Sequence, residues 1–343
     1  MLLSTPPLSL STLTASKYSG LLIALVVTVL ALRRRWNPKR LSVLPKHQER
    51  VVILGATSGI GRVLAQQYAK RGARVCVVGR RAELLAEVKT ECCILRDPSI
   101  ERSSILPASH VAQNDAIFAV QADLTAPEDA IHTVGLLRSV WGGVDTVIIC
   151  AGVSSLRPLL EVAGVERPGE DVSLTGIRRI REVSDAAMKG NFTGPLLSAV
   201  SLIPLLESTS RSPSVALISS AAAIIPAPTR SLYCASKAAS LILFQSLAIE
   251  HPKIKFTNVM PATVEGDFRA SAVDAGPVRE SSPNKHGLKR DYVAQRIIKA
   301  LDYGEKEVFL PWWFVRLGHL FYWIVPSVIE VFSRKKYNFT PAT

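Results

Sequence analysis

Two hydrophobic periods alternate along the chain from Val51 onward. VVIL at 51–54, RVCVVG at 74–79, IFAVQAD at 117–123, VDTVIIC at 144–150, SVALISS at 214–220 and KFTNVMP at 255–261 have the length and β-branched content of buried strands. Between them run segments with helical spacing. These are IGRVLAQQYAKRG after the first strand, a stretch from Arg81, one from Val183 towards Leu206, Leu232 to His251, and Asp291 to Leu301. Contiguous apolar strands separated by helices predict βαβ units. The expected fold class is therefore α/β, a doubly wound, Rossmann-like parallel sheet of six or seven strands in a single domain. Residues 96–115, 153–186 and 266–290 are polar and read as connections.

Both ends of the chain break this pattern. Tyr18 to Leu32, YSGLLIALVVTVLAL, carries no charge and is followed directly by Arg33-Arg34-Arg35. Fifteen helical residues reach roughly 23 Å, against a hydrocarbon core of roughly 30 Å, and flanking Lys17 and Arg33 can snorkel across the difference. A cleaved signal peptide carries its positive charge before the apolar run, whereas here the arginines follow it, so an uncleaved anchor is expected. Near the C-terminus, VFLPWWFVRLGHLFYWIVPSVIEVF at 308–332 is apolar and aromatic but interrupted by Arg316, His319, Pro326 and Glu330. With Trp312, Trp313, Tyr322 and Trp323 suited to a membrane interface and Arg334-Lys335-Lys336 to anionic headgroups, it reads as an interfacial or re-entrant segment. A helix packed on the domain or on a second copy is the plainer alternative. The expected organisation is a tail at 1–17, an anchor at 18–32, a basic linker at 33–50, a catalytic domain at 51–305 and an interfacial segment with its tail at 306–343.

Composition narrows the classes further. The 343 residues are 48% hydrophobic and 20% charged with a mean hydropathy of +0.23, which excludes a disordered chain. The net charge of +13 suggests a polyanion at first, but residues 33–50 alone hold seven Lys and Arg against one Glu. No other basic stripe with interleaved aromatics follows, so nucleic acid is not an expected partner. Five cysteines without C-x-x-C spacing imply neither a disulfide framework nor a zinc site and suit a reducing compartment. The histidines show no metal-binding spacing, and no metal is expected.

Candidate chemistry sits at two strand ends and on one helix. GATSGIG, residues 55–61, follows the first strand and opens a helix, the place where glycines let a pyrophosphate approach unpaired N–H groups. Gly79-Arg80-Arg81 closes the second strand, where an acid would take the 2′-hydroxyl of NAD. Arginines there favour the 2′-phosphate of NADP. Tyr233 and Lys237 lie four apart on one helix, so they share a face. An ammonium beside a phenol stabilises phenolate, which makes tyrosine usable as a general acid or base.

GATSGIG, Asn191 in KGNFTG, Ser220 at a strand end and Tyr233-x-x-x-Lys237 occur in one order, and over residues 50 to 305 this arrangement resembles the short-chain dehydrogenase/reductase family. The C-terminal segment resembles the family's membrane-associated, hydroxysteroid-dehydrogenase-like branch, where such a segment forms the mouth of a lipophilic pocket. The resemblance implies that Tyr233 donates the proton and that Lys237 stabilises its phenolate and holds the nicotinamide ribose. Ser220 would hydrogen-bond the substrate oxygen and Asn191 would place a relay water behind the lysine. Ser219 is the less favoured serine, since strand alternation turns the two side chains opposite ways. NADP(H) would be held by Gly55, Thr57, Ser58, Gly59, Ile60 and Gly61, by Arg80 and Arg81, and by Asp123 and Leu124 near the adenine. Ala151, Gly152, Tyr233, Lys237, Pro261 and Val264 would line its nicotinamide half. The chain departs from the family pattern at Leu54, at Cys150 in place of Asn before Ala151-Gly152, and at Ala262 after Pro261, none of them a tetrad position.

These readings converge on an NADPH-dependent enzyme that interconverts a lipophilic ketone or aldehyde and its alcohol. The expected substrate is steroid-, retinoid-, long-chain- or polyketide-like, with membrane lipids as further partners and a homodimer left open. The expected site is the endoplasmic-reticulum membrane with the catalytic domain facing the cytosol. A 3-ketosphinganine-type lipid reductase and a non-catalytic NADP-binding membrane scaffold are the alternatives.

Overall fold

The computed structural model describes residues 20–25, 27–28, 40–99, 116–270, 272–280 and 283–340. The expected tail at 1–17 lies outside these residues, as do residues 18, 19, 26 and 29–32 of the anchor and most of the polar connection at 96–115. Of the anchor, residues 20–25 and 27–28 are helical and exposed.

Seven parallel strands form one sheet in the order β3-β2-β1-β4-β5-β6-β7. They are β1 (Arg50–Leu54), β2 (Arg74–Gly79), β3 (Ile117–Gln121), β4 (Thr146–Ile149), β5 (Ser214–Ile218), β6 (Lys255–Pro261) and β7 (Glu307–Leu310). The intervening helices are α1 (Gly59–Lys70), α2 (Ala82–Arg96), α3 (Pro127–Trp141), α4 (Leu174–Met188), α5 (Gly194–Thr209), α6 (Ser231–Glu250) and α7 (Arg290–Tyr303). Strand alternation feeds two cores. Val51 and Ile53 of β1 pack with Leu64 and Tyr68 of α1 and Ile297 of α7, while Val52 and Leu54 pack with Leu137, Leu206 and Phe244 of α3, α5 and α6. Both faces are therefore covered, which is why these strands read as unbroken apolar runs.

Three boundaries differ from the sequence expectation. The run from Val308 was assigned whole to the interfacial segment, but its first residues pair with β6 as β7, so the sheet extends past 305. Residues 40–49 were assigned to the linker, yet Arg40 and Leu44 are buried against the domain. The connection at 153–186 is helical over much of its length, because α4 begins at Leu174 behind a Ser173 cap that accepts from the Gly176 amide. After β7, α8 (Trp312–Ile324) and α9 (Pro326–Lys336) form a helical pair. It meets the domain through Val315, which packs with Leu241, Met260 and Phe309, and leaves Trp312, Trp313, Phe321, Trp323, Val328 and Phe332 exposed.

Among the described residues the helix with the length and apolarity of a membrane span is α6, at mean hydropathy 1.4. Its Tyr233, Lys237, Leu241 and Phe244 are buried, so α6 is a core helix of the domain.

A buried ionic network closes the N-terminal edge of the sheet. Glu49, 1% exposed, pairs with Arg40 at 2.5 Å and with Arg71, and accepts from Thr146 Oγ1 at 2.6 Å. Arg40 also donates to the carbonyls of Ser212 and Asp145, which fastens the segment ahead of the domain to β4 and to the chain entering β5. Burial alone would raise the Glu49 pKa, but the two guanidinium groups and Thr146 bring it below its ordinary 4.5. A depressed carboxylate contributes stability that is complete above the ordinary value and is lost as pH falls through the folded-state value. Glu49→Gln is expected to cost about 3–5 kcal/mol at pH 7, because two buried guanidinium groups lose their counter-charge. Urea denaturation measures the loss, and the gap between variant and wild type should narrow as pH drops below 4.5.

Candidate active site

The strand order reverses direction between β1 and β4, and at such a switch point the loops leaving neighbouring strands part into a crevice. A cleft of about 760 Å³ opens there, beyond the C-terminal ends of β1, β2, β4, β5 and β6. It is lined by every cofactor residue expected from the sequence and by Ser220 and Tyr233. Asn191 lies behind the lining, fully buried.

At the nucleotide end, Gly55 turns the chain out of β1 at φ +88° and lies so near β4 that a Cβ there would stand 2.6 Å from the Ala151 amide nitrogen. Gly61 also has a packing role beside the expected pyrophosphate approach. A Cβ there would meet the Gly55 carbonyl oxygen at 2.2 Å, so Gly61 lets the loop close on the first turn of α1. Arg81 reaches back over this loop, donating to Thr57 Oγ1 at 2.6 Å and Ser58 Oγ at 3.2 Å. Asp123 accepts from the amide and hydroxyl of Thr125. Those bonds and nearby Arg80 hold its carboxyl below the usual range against the opposing pull of burial.

At the catalytic end, α6 starts beneath the cleft and carries Tyr233 and Lys237 on one face. Lys237 is 3% exposed and donates from Nζ to the Ile218 carbonyl at 3.0 Å, where β5 ends. Burial brings its pKa down to about 8, with Cys150 acting the other way. Burial likewise pushes the Cys150 thiol up to about 12, so this departure from the family pattern places a neutral thiol by the lysine. Between α4 and α5 the helix widens to a π-turn over Lys189–Thr193, a distortion frequent at functional sites. The turn presents Asn191 to the end of β4, where Oδ1 accepts from the Val153 amide at 2.8 Å and Nδ2 donates to the Val153 carbonyl and to Ser236 Oγ. Ser236 lies on α6 between the tyrosine and the lysine, so Asn191 ties that helix to β4.

Ser220 and Ser219 both line the cleft. Ser220 Oγ accepts from the Ala222 amide at 3.1 Å, while Ser219 is 4% exposed. Over the cleft, the segment after β6 is pinned by Asp274, whose carboxylate accepts from Ser155 Oγ and from the amides of Leu156 and Arg157.

Several lining residues escaped the sequence reading. Arg230 puts its guanidinium carbon 4.2 Å from the centroid of the Tyr233 ring, and Phe268 meets the same ring edge-on at 6.1 Å. Arg230 lies three residues before Tyr233, so helical spacing was a usable signal. Lys336, Tyr337 and Arg269 come from distant segments and offered none.

The sequence pattern of the short chain dehydrogenase family matches residues 49–275. An 11-beta-hydroxysteroid dehydrogenase A from Sesamum indicum is 29% identical over 300 residues, 85% of this chain and 76% of that protein. A dehydrogenase/reductase SDR family member 7B from Bos taurus is 29% identical over 267 residues, 76% of this chain and 72% of that protein. In three dimensions, an alcohol dehydrogenase from Thermococcus sibiricus complexed with 5-hydroxy-NADP shares the fold at a TM-score of 0.55 and 20% identity, covering 76% of this chain and 95% of that one.

The burial of Lys237 makes stability depend on pH. Between its folded-state value of about 8 and its ordinary 10.5, the unfolded chain holds a proton that the folded chain releases, so stability from this residue rises with pH across that window. Without cofactor, Lys237→Met should be more stable than wild type at pH 7 by about 1–2 kcal/mol, since a buried charge is removed at the cost of one hydrogen bond. Thermal denaturation should show the advantage shrinking towards pH 10, where the wild-type lysine is neutral.

Proposed function

The chain belongs to the short chain dehydrogenase family, and from that premise we propose that it is a membrane-anchored, NADPH-dependent enzyme that interconverts a lipophilic ketone or aldehyde and the corresponding alcohol. The family membership and the hydroxysteroid-dehydrogenase-like relatives make it an oxidoreductase of alcohol and carbonyl groups that uses a nicotinamide dinucleotide. The finer reading rests on one observation above others. Tyr233, Lys237 and Ser220 line one cleft together with the glycines of the first turn and with Lys336 and Tyr337 at the end of the apolar C-terminal helices.

The cleft suits the cofactor: Gly55 and Gly61 keep the first turn narrow, and α1 offers its N-terminal amides to the pyrophosphate. Arg81, already fixed by Thr57 and Ser58, and Arg80 beside it supply the charge for a 2′-phosphate. When bound, the nicotinamide supplies or accepts the hydride at the carbonyl carbon. Tyr233 moves the proton at the carbonyl oxygen, with Ser220 donating a hydrogen bond to the same atom. Lys237 holds the cofactor ribose and stabilises the phenolate form. Both Nδ2 donors of Asn191 are engaged by Val153 and Ser236, so the water of the proton relay falls to the main chain of the π-turn.

Membrane attachment is supported by the exposed apolar residues Leu21, Leu22, Ile23, Leu25 and Val27 ahead of the domain and by the exposed aromatic face of α8 and α9. The basic residues Arg334 and Lys335 lie in the last turn of α9 beside that face, where anionic headgroups would sit. We place the enzyme at the endoplasmic reticulum with the domain in the cytosol, in line with its five free cysteines.

Tyr233→Phe in the purified enzyme should abolish reduction of hydrophobic ketones while leaving NADPH binding within a factor of about two. Unchanged turnover sinks the assignment. Arg80→Ala/Arg81→Ala should raise KM for NADPH at least tenfold and leave KM for NADH nearly unchanged, as expected when charge-assisted bonds to a phosphate are lost. An equal effect on both cofactors would remove the NADP preference.

A further inference from the structure

The cleft has a second charged end that hydride and proton transfer do not use. Arg230 is 4% exposed, donates from Nη2 to Ser154 Oγ at 3.0 Å, and has a buried Nε without a hydrogen-bond partner. Arg269, 8% exposed, is ion-paired with Glu280. Lys336, exposed as a whole residue, carries its ammonium to 5.4 Å from the Tyr337 ring centroid. All three cations line the cleft on the Tyr233 side.

The carboxylates facing them do not balance this charge. Glu280 serves Arg269, lies 3.9 Å from Arg230, and accepts from Thr263 Oγ1 at 3.3 Å. Asp267 is exposed at the rim, and Glu265 is engaged by Lys289 and Arg290. Burial, with Arg269 and Arg230 adding to it and Glu280 opposing, lowers the Lys336 pKa from the usual lysine value. Two arginines more than nine-tenths buried and a lysine thus share one buried carboxylate beside the catalytic tyrosine. Cations held out of water with too few partners gain when an anion enters. The cofactor's phosphates have their own partners at the opposite end, in the glycine loop, Arg80 and Arg81.

We propose that the end of the cleft formed by Arg230, Arg269 and Lys336 binds an anionic group, carboxylate or phosphate, carried by the lipophilic substrate close to the carbonyl that Tyr233 protonates. The exposed aromatic face of α8 and α9 then receives the apolar chain, and the cations take the polar end. The word substrate rests on the oxidoreductase reading, so the test reads binding and needs no turnover.

The full chain in neutral detergent micelles, saturated with NADPH, is titrated calorimetrically with laurate, lauryl phosphate and dodecanol. At least one anion should bind tenfold or more tightly than dodecanol, and the comparison of the two anions identifies carboxylate or phosphate. Lys336→Met should weaken the preferred anion about tenfold and leave dodecanol unchanged. Arg269→Gln, which leaves Glu280 as the counter-charge of the buried Arg230, should do the same. Equal affinity for all three probes overturns the proposal. So does a Lys336→Met variant that loses NADPH and the anion by the same factor, because the cations would then serve the cofactor. Failure to oxidise NADPH with any lipophilic ketone, anionic or neutral, would sink the oxidoreductase reading and leave the binding result standing.

Discussion

All seven strands run the same way, and this constraint organises the molecule. A parallel sheet requires a crossover between each pair of strands, so every strand delivers its C-terminal end to one edge. The edge divides where successive crossovers pass to opposite faces, between β1 and β4, and the cleft occupies that division. Gly55, Arg80, Asp123, Ala151, Ser220 and Val264 are remote in sequence but share the cleft because each follows a strand.

Within that frame the catalytic end is an electrostatic compromise. The ammonium of Lys237 is buried with a carbonyl oxygen as its hydrogen-bond partner, an arrangement that opposes stability and is sustained by the apolar cores on both faces of the sheet. The π-turn serves the same end. It interrupts two otherwise regular helices so that Asn191 can bond Val153 and Ser236, which locks α6 against β4 and fixes the tyrosine and lysine relative to the cleft. Charge of the same sign gathers in two parts of the cleft, around Arg80 and Arg81 and around Arg230, Arg269 and Lys336 near the tyrosine.

The chain's terminal attachments are fastened at opposite edges of the sheet. The Arg40, Glu49 and Arg71 network secures the incoming segment where strands begin. The pair α8 and α9 leaves β7 where strands end, and it returns Lys336 and Tyr337 to the cleft. The helical pair that carries the exposed apolar surface therefore also contributes to the lining of the cleft.

Most of this was legible in the residues. Unbroken apolar runs identify strands buried on both faces, and GATSGIG, Arg80, Ser220, Tyr233 and Lys237 declare themselves because each is local to a strand end or a helix turn. The expected strands IFAVQAD and SVALISS ran two residues too far, since their polar ends leave the ladder to line the cleft. The strand β7 was hidden because its three apolar residues, Val308 to Leu310, merge with the aromatic run behind them. Nothing local announced Lys336, Arg269 or the buried pairing of Arg40 with Glu49. Backbone periodicity and turn chemistry are written in neighbouring residues, so sequence alone determined the fold class and singled out Ser220, Tyr233 and Lys237, which the fold brings to one cleft. Which charges stand together is decided by contacts between segments as far as 231 residues apart, as in the pairing of Arg71 with Asp302, and only the folded chain brings those together.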